Sequence, residues 1–255
     1  MITLLGLDPA TNTGWAFIEK NQLVEFGTIT PSAVFSLPQK LNYYHGEVGR
    51  LVDRLKPDYL AIEDVFLGIS GAKTLALLAR INAVCIQSSF HYLKDRVFIY
   101  QPSFWKSNSI PNITSTSPKW KIQMEVCRYF SIGLVGDFTI FDKLEEEHIQ
   151  INEIAKNKCN DLKILVDKLK SSLLRKRNPL IGDEKVELEN KLKELTKQHL
   201  ESKEYVKKLK KISEKKLLQI GTDIYAQTGI SNDAADSACI AVCLQNQLGE
   251  NKDVR

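Results

Sequence analysis

The order of strand-like and helix-like segments constrains the fold of this chain more than any other feature of its sequence. Residues 2–8 and 13–19 are apolar, strand-like runs joined by a tight turn, and a third run follows near "QLVEFGTIT". Two segments with apolar residues at helical spacing then alternate with the short strands "PDYLAIEDV" and "DRVFIYQP". After them, 107–118 is typical of a surface loop and "KWKIQMEVCRYF" of a helix. Three strands followed by alternating helices and strands predict an α/β domain built on a mixed sheet.

The segment from 142 to 219 has a different character, because it is highly charged and almost free of glycine and aromatic residues. Its apolar residues repeat at intervals of three and four, first over Leu162–Leu173 and again over Leu188–Leu209. Helix breakers, Asn178-Pro179 and Gly182, lie between the two series. The pattern predicts an inserted antiparallel helical hairpin, a coiled coil, over 142–219. Arms of about 30 residues at about 1.5 Å per residue would be roughly 45 Å long, so we expect the hairpin to project from an α/β domain formed by 1–141 and 220–255.

The composition fits an ordinary globular protein and excludes several classes. With 43% hydrophobic and 26% charged residues, the chain can build a proper core. No apolar run approaches the roughly 18 residues of a membrane span, and no targeting signal is recognisable, so a cytoplasmic location without membrane contact is expected. The five cysteines include no Cys-x-x-Cys pair, which favours core thiols in a reducing compartment over a zinc site. The positive charge is concentrated in 142–219, which contains 20 Lys and Arg against 15 Asp and Glu.

Four carboxylates occupy positions at which an α/β fold can bring them together. Asp8 and Glu63 each end a predicted strand, whereas Asp233 and Asp236 are three residues apart in the first turn of the last helix, capped by Ser231 or Asn232. Any one of them alone is also compatible with a surface charge or a helix cap. Together they would raise one another's pKa unless cations were bound. Oxygen ligands of this kind suit Mg²⁺ or Mn²⁺, and two such ions can catalyse phosphodiester hydrolysis.

Five blocks of the sequence resemble, in order, those of the RuvC-type Holliday junction resolvases. The blocks are "LLGLDPATNTGWAFI", "LAIEDVF", "QPSFWKS", "SPKWKIQMEV" and "NDAADSACIAV", and they cover most of 1–135 and 220–246. The resemblance implies an RNase H-like fold with a five-stranded mixed sheet flanked by helices. The chain departs from the family pattern at Ala10, where glycine is usual, in the loop between Lys106 and Lys119, which lacks glycine, and in the hairpin.

The resemblance also implies roles for individual residues. Asp8, Glu63, Asp233 and Asp236 match the metal-binding carboxylates. Lys106 and Lys119 match basic residues near the scissile phosphate, and Lys121 is an additional expected DNA contact. Phe66 stands where the family has an aromatic residue that stacks on an unpaired base at the junction centre, although a core aromatic is the plain alternative.

The activity that the resemblance implies is metal-dependent, structure-selective cleavage of four-way DNA junctions by a homodimer, which leaves 5′-phosphate and 3′-hydroxyl ends. Three alternatives stay open: a flap or general branched-DNA endonuclease, a non-catalytic junction-binding protein, and an actin-like or sugar-kinase-like ATPase. The ATPase would need a second phosphate loop and a second lobe, for which the chain has no matching block. No helicase partner is identifiable.

The hairpin has two possible roles that the sequence leaves equally open. Lys207, Lys208 and Lys211 lie in the run "KKLKKISEKK" of its second arm, which suggests contact with the DNA backbone. The apolar series suggests instead a brace between two copies of the chain. A solvated helix face is the plain reading of such a charged run.

Overall fold

The computed structural model describes residues 2–66, 71–132, 139–175 and 183–250. It divides into two compact units, one formed by 1–135 and 221–255 and the other by 136–220. In the part of the chain that is described, no helix is both long enough and apolar enough to cross a membrane.

The first unit is built on a five-stranded mixed sheet. Its strands are β1 (Thr3–Asp8), β2 (Thr13–Glu19), β3 (Gln22–Ile29), β4 (Tyr59–Glu63) and β5 (Val97–Tyr100), in the spatial order β3-β2-β1-β4-β5. The first three strands pair antiparallel as a meander, whereas β4 lies parallel to β1 and β5 parallel to β4. This mixed five-stranded sheet with flanking helices confirms the predicted fold class.

Apart from a 3-10 turn at Lys94–Arg96, seven α-helices complete the described part of the chain. They are α1 (Leu37–Leu55), α2 (Ala72–Leu93), α3 (Pro102–Asn108), α4 (Lys119–Tyr129), α5 (Thr139–Arg175), α6 (Asp183–Thr228) and α7 (Asn232–Glu250). Six of them were predicted from the sequence, and α3 was not, because seven residues are too few to show a period. Its last two residues fall inside the predicted surface loop 107–118.

One face of the sheet packs against α1 and α2. Alternate strand residues, such as Leu5, Leu7 and Ile62, are fully buried there against Tyr44 and Ile81. The side chains of a strand alternate between faces, so these residues leave their neighbours Gly6, Asp8, Ala61 and Glu63 on the opposite face.

The opposite face of the sheet is covered by α7 at unusually close range. A Cβ atom at Gly6 would lie 1.9 Å from the carbonyl oxygen of Ser237, and one at Gly14 would lie 2.1 Å from that of Asp233. Only glycine therefore permits the approach. The helix contributes small residues such as Ala234 and Ala238 to this contact, both fully buried. The close packing brings the N-terminal turn of α7 to the strand end that carries Asp8.

The second unit contains α5 and the greater part of α6, and its inward positions are those of the predicted apolar series. Leu162, Val166 and Leu169 on α5 are buried or half-buried, as are Leu188, Leu192, Leu195, His199, Ser202 and Val206 on α6, while most intervening residues are exposed. The predicted breakers Asn178-Pro179 lie outside the described residues, and α6 continues past the predicted end at 219.

The cysteines are all free thiols. Cys85, Cys127, Cys239 and Cys243 are buried in the first unit, as predicted for core thiols. Cys159 differs, because it is only half-buried and its Sγ lies 4.0 Å from Nδ1 of His199 between the two long helices.

Candidate active site

Asp8 and Glu63 are neighbours at one edge of the sheet because their strands are parallel and in register. Leu7 is paired with Ile62. The residues that follow them on the two strands, Asp8 and Glu63, therefore also lie side by side. Both alternate onto the face that α7 covers. The predicted convergence of the two strand ends is thus a consequence of the β1–β4 pairing.

The other two carboxylates reach this edge from the first turn of α7. Ser231 begins the helix: its Oγ accepts a hydrogen bond from the amide of Ala234 at 3.1 Å, and its carbonyl oxygen accepts one from Ala235 at 2.9 Å. Of the two predicted N-caps, Ser231 is therefore the N-cap in the structure, and Asn232 is not. Asp236 is buried, whereas Asp233 keeps 27% of its side chain exposed.

Removal from water and mutual repulsion raise the pKa of three of the carboxyl groups. The pKa of Asp8 lies well above its usual value because of burial and, secondarily, the charges of Glu63 and Asp236. Burial is also the main reason why the pKa of Glu63 rises to about 7 and that of Asp236 to about 6. The three groups are therefore costly to ionise together near neutral pH unless positive charge is supplied.

Two lysines supply part of that positive charge. Nζ of Lys119, at the first position of α4, lies 3.3 Å from Oδ1 of Asp233 and 3.7 Å from Oδ2 of Asp236. Burial would lower the pKa of Lys119, but Asp236, Asp233 and Asp8 together raise it. Lys106 lies close enough to lower the pKa of Glu63 and of Asp236. The structure thus brings the four predicted carboxylates and both predicted lysines to one place.

Two residues that were not predicted hold Glu63 in position. Nε1 of Trp105 donates a hydrogen bond of 2.9 Å to Oε2 of Glu63, and Nδ2 of Asn82 donates one of 2.6 Å to its carbonyl oxygen. Trp105 lies inside the block "QPSFWKS", next to Lys106, and this position was the only sign in the sequence that Trp105 belongs to the site. Nothing in the sequence pointed to Asn82, which is one of the few polar residues on the buried face of α2.

The loop after Asp8 is closed by its own hydrogen bonds. The hydroxyl of Thr13 donates to the carbonyl of Ala10 at 3.0 Å and accepts from the Ala10 amide at 3.3 Å, while the Tyr44 hydroxyl donates to the carbonyl of Thr11 at 2.8 Å. A phosphate-binding loop presents free amides to its ligand. The Ala10 amide is already engaged, which disfavours the ATPase alternative.

The carboxylate oxygens of the cluster are of the kind that binds a hard divalent cation, although the described side chains are not arranged around a common point as metal ligands would be. Among the described residues, no three His, Cys, Asp or Glu side chains form a group that could hold a metal ion directly. Lys119 stands instead against Asp233 and Asp236. Oδ1 of Asp236 is buried and has no hydrogen-bond partner among the described residues, which is the kind of unsatisfied oxygen that Mg²⁺ or Mn²⁺ would bind.

The predicted DNA contacts outside this cluster differ in their surroundings. Phe66 is 61% exposed, so the alternative that it is a core aromatic is wrong. Lys121 is partly buried on α4, whereas Lys207, Lys208 and Lys211 are exposed on α6. The three α6 lysines belong to the second unit.

No protein-family model matches the chain. It is similar in sequence to the crossover junction endodeoxyribonucleases RuvC of Magnetococcus marinus (36% identity over 81 residues, 30% of this chain and 45% of the relative) and Chloroflexus aurantiacus (33% over 92 residues, 31% and 56%). The RuvC of Finegoldia magna is 30% identical over 105 residues, which cover 39% of this chain and 62% of the relative.

The chain spans about half the length of the first two relatives. Among solved structures, Thermus thermophilus RuvC in complex with Holliday junction substrate covers 54% of this chain and 84% of its own, with 14% identity and a TM-score of 0.46. The sequence matches confirm the resemblance predicted from the five blocks: over part of its length, this chain is similar in sequence to RuvC-type junction resolvases.

Proposed function

We propose that this protein is a metal-dependent, structure-selective endodeoxyribonuclease that resolves four-way DNA junctions by paired nicks. The observation that carries the proposal is the meeting of Asp8, Glu63 and Asp236, from three separate elements, with pKa values raised by burial and repulsion. The ordinary role of a carboxylate on a protein surface does not require such a costly arrangement. The sequence relatives are named crossover junction endodeoxyribonucleases, which supports phosphodiester cleavage at a junction as the chemistry of this site.

We assign the cation-binding role to Asp8, Glu63, Asp233 and Asp236, with Mg²⁺ or Mn²⁺ as the cation and two ions per site. When bound, these ions would supply the charge that activates the attacking water and stabilises the leaving 3′-oxygen. The products are a 5′-phosphate and a 3′-hydroxyl.

The lysines of the cluster have a separate task. Lys119 neutralises Asp233 and Asp236 in the free protein, and its side chain is 61% exposed, so it can turn toward a phosphate when the carboxylates gain cations. Lys106 lies near Glu63, whose pKa it lowers. In this proposal the two ammonium groups contact the DNA backbone at the cut.

Selection of a branched substrate is assigned to Phe66 and to the symmetry of the assembly. An aromatic side chain with 61% of its surface exposed, three residues after Glu63, is available for stacking on an unpaired base. A two-fold homodimer would match the two-fold symmetry of the junction and place one site on each of two strands.

The exposed lysines of α6 support a role of the second unit in DNA binding. Lys207, Lys211 and Lys215 are exposed and four residues apart, so they form one stripe along the helix. A stripe of this kind can follow a row of phosphates. A brace between two copies is the competing role, and loss of the dimer on replacing 143–218 by a short loop would favour it.

The experiment that tests the proposal is cleavage of a mobile four-way junction by the full chain, in Mg²⁺ and in Mn²⁺, with the nicks mapped on every strand. Symmetrically related nicks on two opposing strands, with ligatable ends, are expected. Preferential cleavage of flap or Y substrates in the same assay would favour a general branched-DNA nuclease. Tight binding of the junction with no cleavage in either metal would favour a non-catalytic junction-binding protein.

A further inference from the structure

We propose that Trp105 is a positioning residue that orients Glu63 with the edge of its indole ring and Lys106 with the face. The proposal rests on the function proposed above and deepens it. It assigns to one buried side chain the placement of both the metal-binding carboxylate of Glu63 and the DNA-facing ammonium of Lys106. The RuvC-type resemblance includes this position in one of its blocks but assigns no role to it.

The edge of the ring holds the carboxylate. Nε1 of Trp105 donates to Oε2 of Glu63 at 2.9 Å, an ordinary length for a hydrogen bond between an N–H donor and an oxygen acceptor. Trp105 is 1% exposed, and the amide of the same residue is bonded to the carbonyl of Gln101 in the first turn of α3. Its indole therefore cannot swing away without unpacking α3. Of the two carboxylate oxygens of Glu63, only Oε2 accepts a hydrogen bond from the described residues, so Oε1 is the oxygen that we assign to a cation.

The same carboxylate is held from its backbone. Asn82 is 6% exposed and donates a hydrogen bond of 2.6 Å to the carbonyl oxygen of Glu63. With the main chain held by Asn82 and the carboxylate by Trp105, the Glu63 side chain keeps little rotational freedom. Outer contacts of this kind fix the orientation of metal ligands before the metal binds.

The face of the ring holds the side chain of Lys106. Nζ of Lys106 lies 5.3 Å from the centroid of the Trp105 ring, which is within the range of a cation–π contact. Consecutive residues of a helix point in directions about 100° apart, so Lys106 would otherwise be directed away from Trp105. Contact with the ring brings its ammonium back toward Glu63, whose pKa it lowers.

Phenylalanine and leucine separate the two functions of the ring. Trp105→Phe removes the N–H donor and keeps an aromatic face for Lys106, whereas Trp105→Leu removes both. Trp120→Phe is the matched control, because Trp120 is also buried and its Nε1 has no hydrogen-bond partner among the described residues.

The first measurement is Mn²⁺ binding to the full chain without DNA, by isothermal titration. Trp105→Phe is expected to weaken the binding about tenfold, at the lower end of the effect of removing an outer partner of a metal ligand, while Trp120→Phe binds as the wild type does. In junction cleavage at saturating Mg²⁺, Trp105→Leu is expected to be at least about fivefold slower than Trp105→Phe, because only the leucine variant releases Lys106. Equal cleavage rates of the two variants would overturn the assignment of Lys106.

The second measurement needs no metal and therefore separates this inference from the proposed function. In EDTA, the effect of Trp105→Phe on the urea midpoint is compared in the wild-type and Glu63→Leu backgrounds. A smaller effect in the Glu63→Leu background is expected, because the acceptor is already gone. Equal effects in both backgrounds, or unchanged Mn²⁺ binding by Trp105→Phe, overturn the positioning of Glu63. A wild-type protein that binds no Mn²⁺ and cuts no junction would overturn the proposed function, even if the coupling were found.

Discussion

The carboxylate cluster and the α5–α6 helix pair are built on opposite principles. The cluster joins residues that are far apart in the chain, such as Asp8, Glu63 and Asp236, and places them in half-buried or buried positions that raise their pKa values. The helix pair is built on inward-facing residues that recur every three or four positions along each helix, and the charged side chains described there are exposed. Single substitutions should consequently have large effects in the cluster and small, additive effects on the helix pair.

The largest effect is expected from removing a charge at the centre of the cluster. Asp8→Asn should reduce junction cleavage by more than about 100-fold. Removing an outer partner of a metal ligand costs up to about 100-fold, and removing a direct ligand should cost more. Junction binding should be retained, because Asp8 contributes no positive charge. Gel-shift titration in EDTA and single-turnover cleavage in Mg²⁺ measure the two properties. Normal cleavage by this variant would contradict the metal-binding assignment of Asp8.

The next largest effect is expected from the close approach of α7 to β1. Gly6→Ala would place a methyl group 1.9 Å from a backbone oxygen of Ser237, so α7 must shift, at a cost of about 3 kcal/mol in the free energy of unfolding. Urea denaturation followed by circular dichroism measures this decrease. Gly49→Ala in α1 is the control: a Cβ there meets nothing within 4 Å, and stability should rise by about 0.5–1 kcal/mol. Equal behaviour of the two variants would show that α7 does not depend on the glycine at position 6.

The pH dependence of stability provides a third test of the cluster. The pKa of Glu63 rises from 4.5 to about 7 on folding, so the folded protein binds this proton more tightly than the unfolded chain. Its contribution to stability is full below about pH 4.5 and is lost as the pH rises to about 7. The loss amounts to roughly 3 kcal/mol.

Thermal denaturation in EDTA at several pH values measures this loss. Glu63→Gln should flatten the profile between about pH 5 and pH 7.5, and in the wild type Mg²⁺ should raise the midpoint more at the higher pH than at the lower. A profile that is the same for Glu63→Gln and wild type would mean that Glu63 titrates normally in the folded protein.

The smallest effect is expected from the exposed lysines of α6. Replacing Lys207, Lys211 and Lys215 by alanine should weaken junction binding a few-fold at moderate salt and lower the salt slope by about 0.9 for each phosphate that is no longer neutralised. The matched control replaces Lys156, Lys163 and Lys170, which are exposed on α5. Equal weakening by the two triple variants would mean that the α6 stripe has no special role in DNA binding.

The sequence alone was sufficient for the features that depend on local periodicity and on strand order. Helix spacing located α1, α2, α4 and both long helices, because i, i+3 and i+4 neighbours lie on one face whatever surrounds them. The strand order predicted the mixed sheet. The ends of its strands, together with the resemblance, identified the carboxylates and the two lysines that the structure brings together.

Contacts between distant residues were decided only by the tertiary structure. The bond from Trp105 to Glu63, the pairing of Lys119 with Asp233 and Asp236, and the passage of α7 over Gly6 join residues at separations for which no sequence period exists. The exposure of Phe66 likewise depends on what packs beside it, and an aromatic residue in the sequence is compatible with both core and surface. Local geometry thus determined the elements, whereas side-chain packing across the sheet determined which of their residues meet.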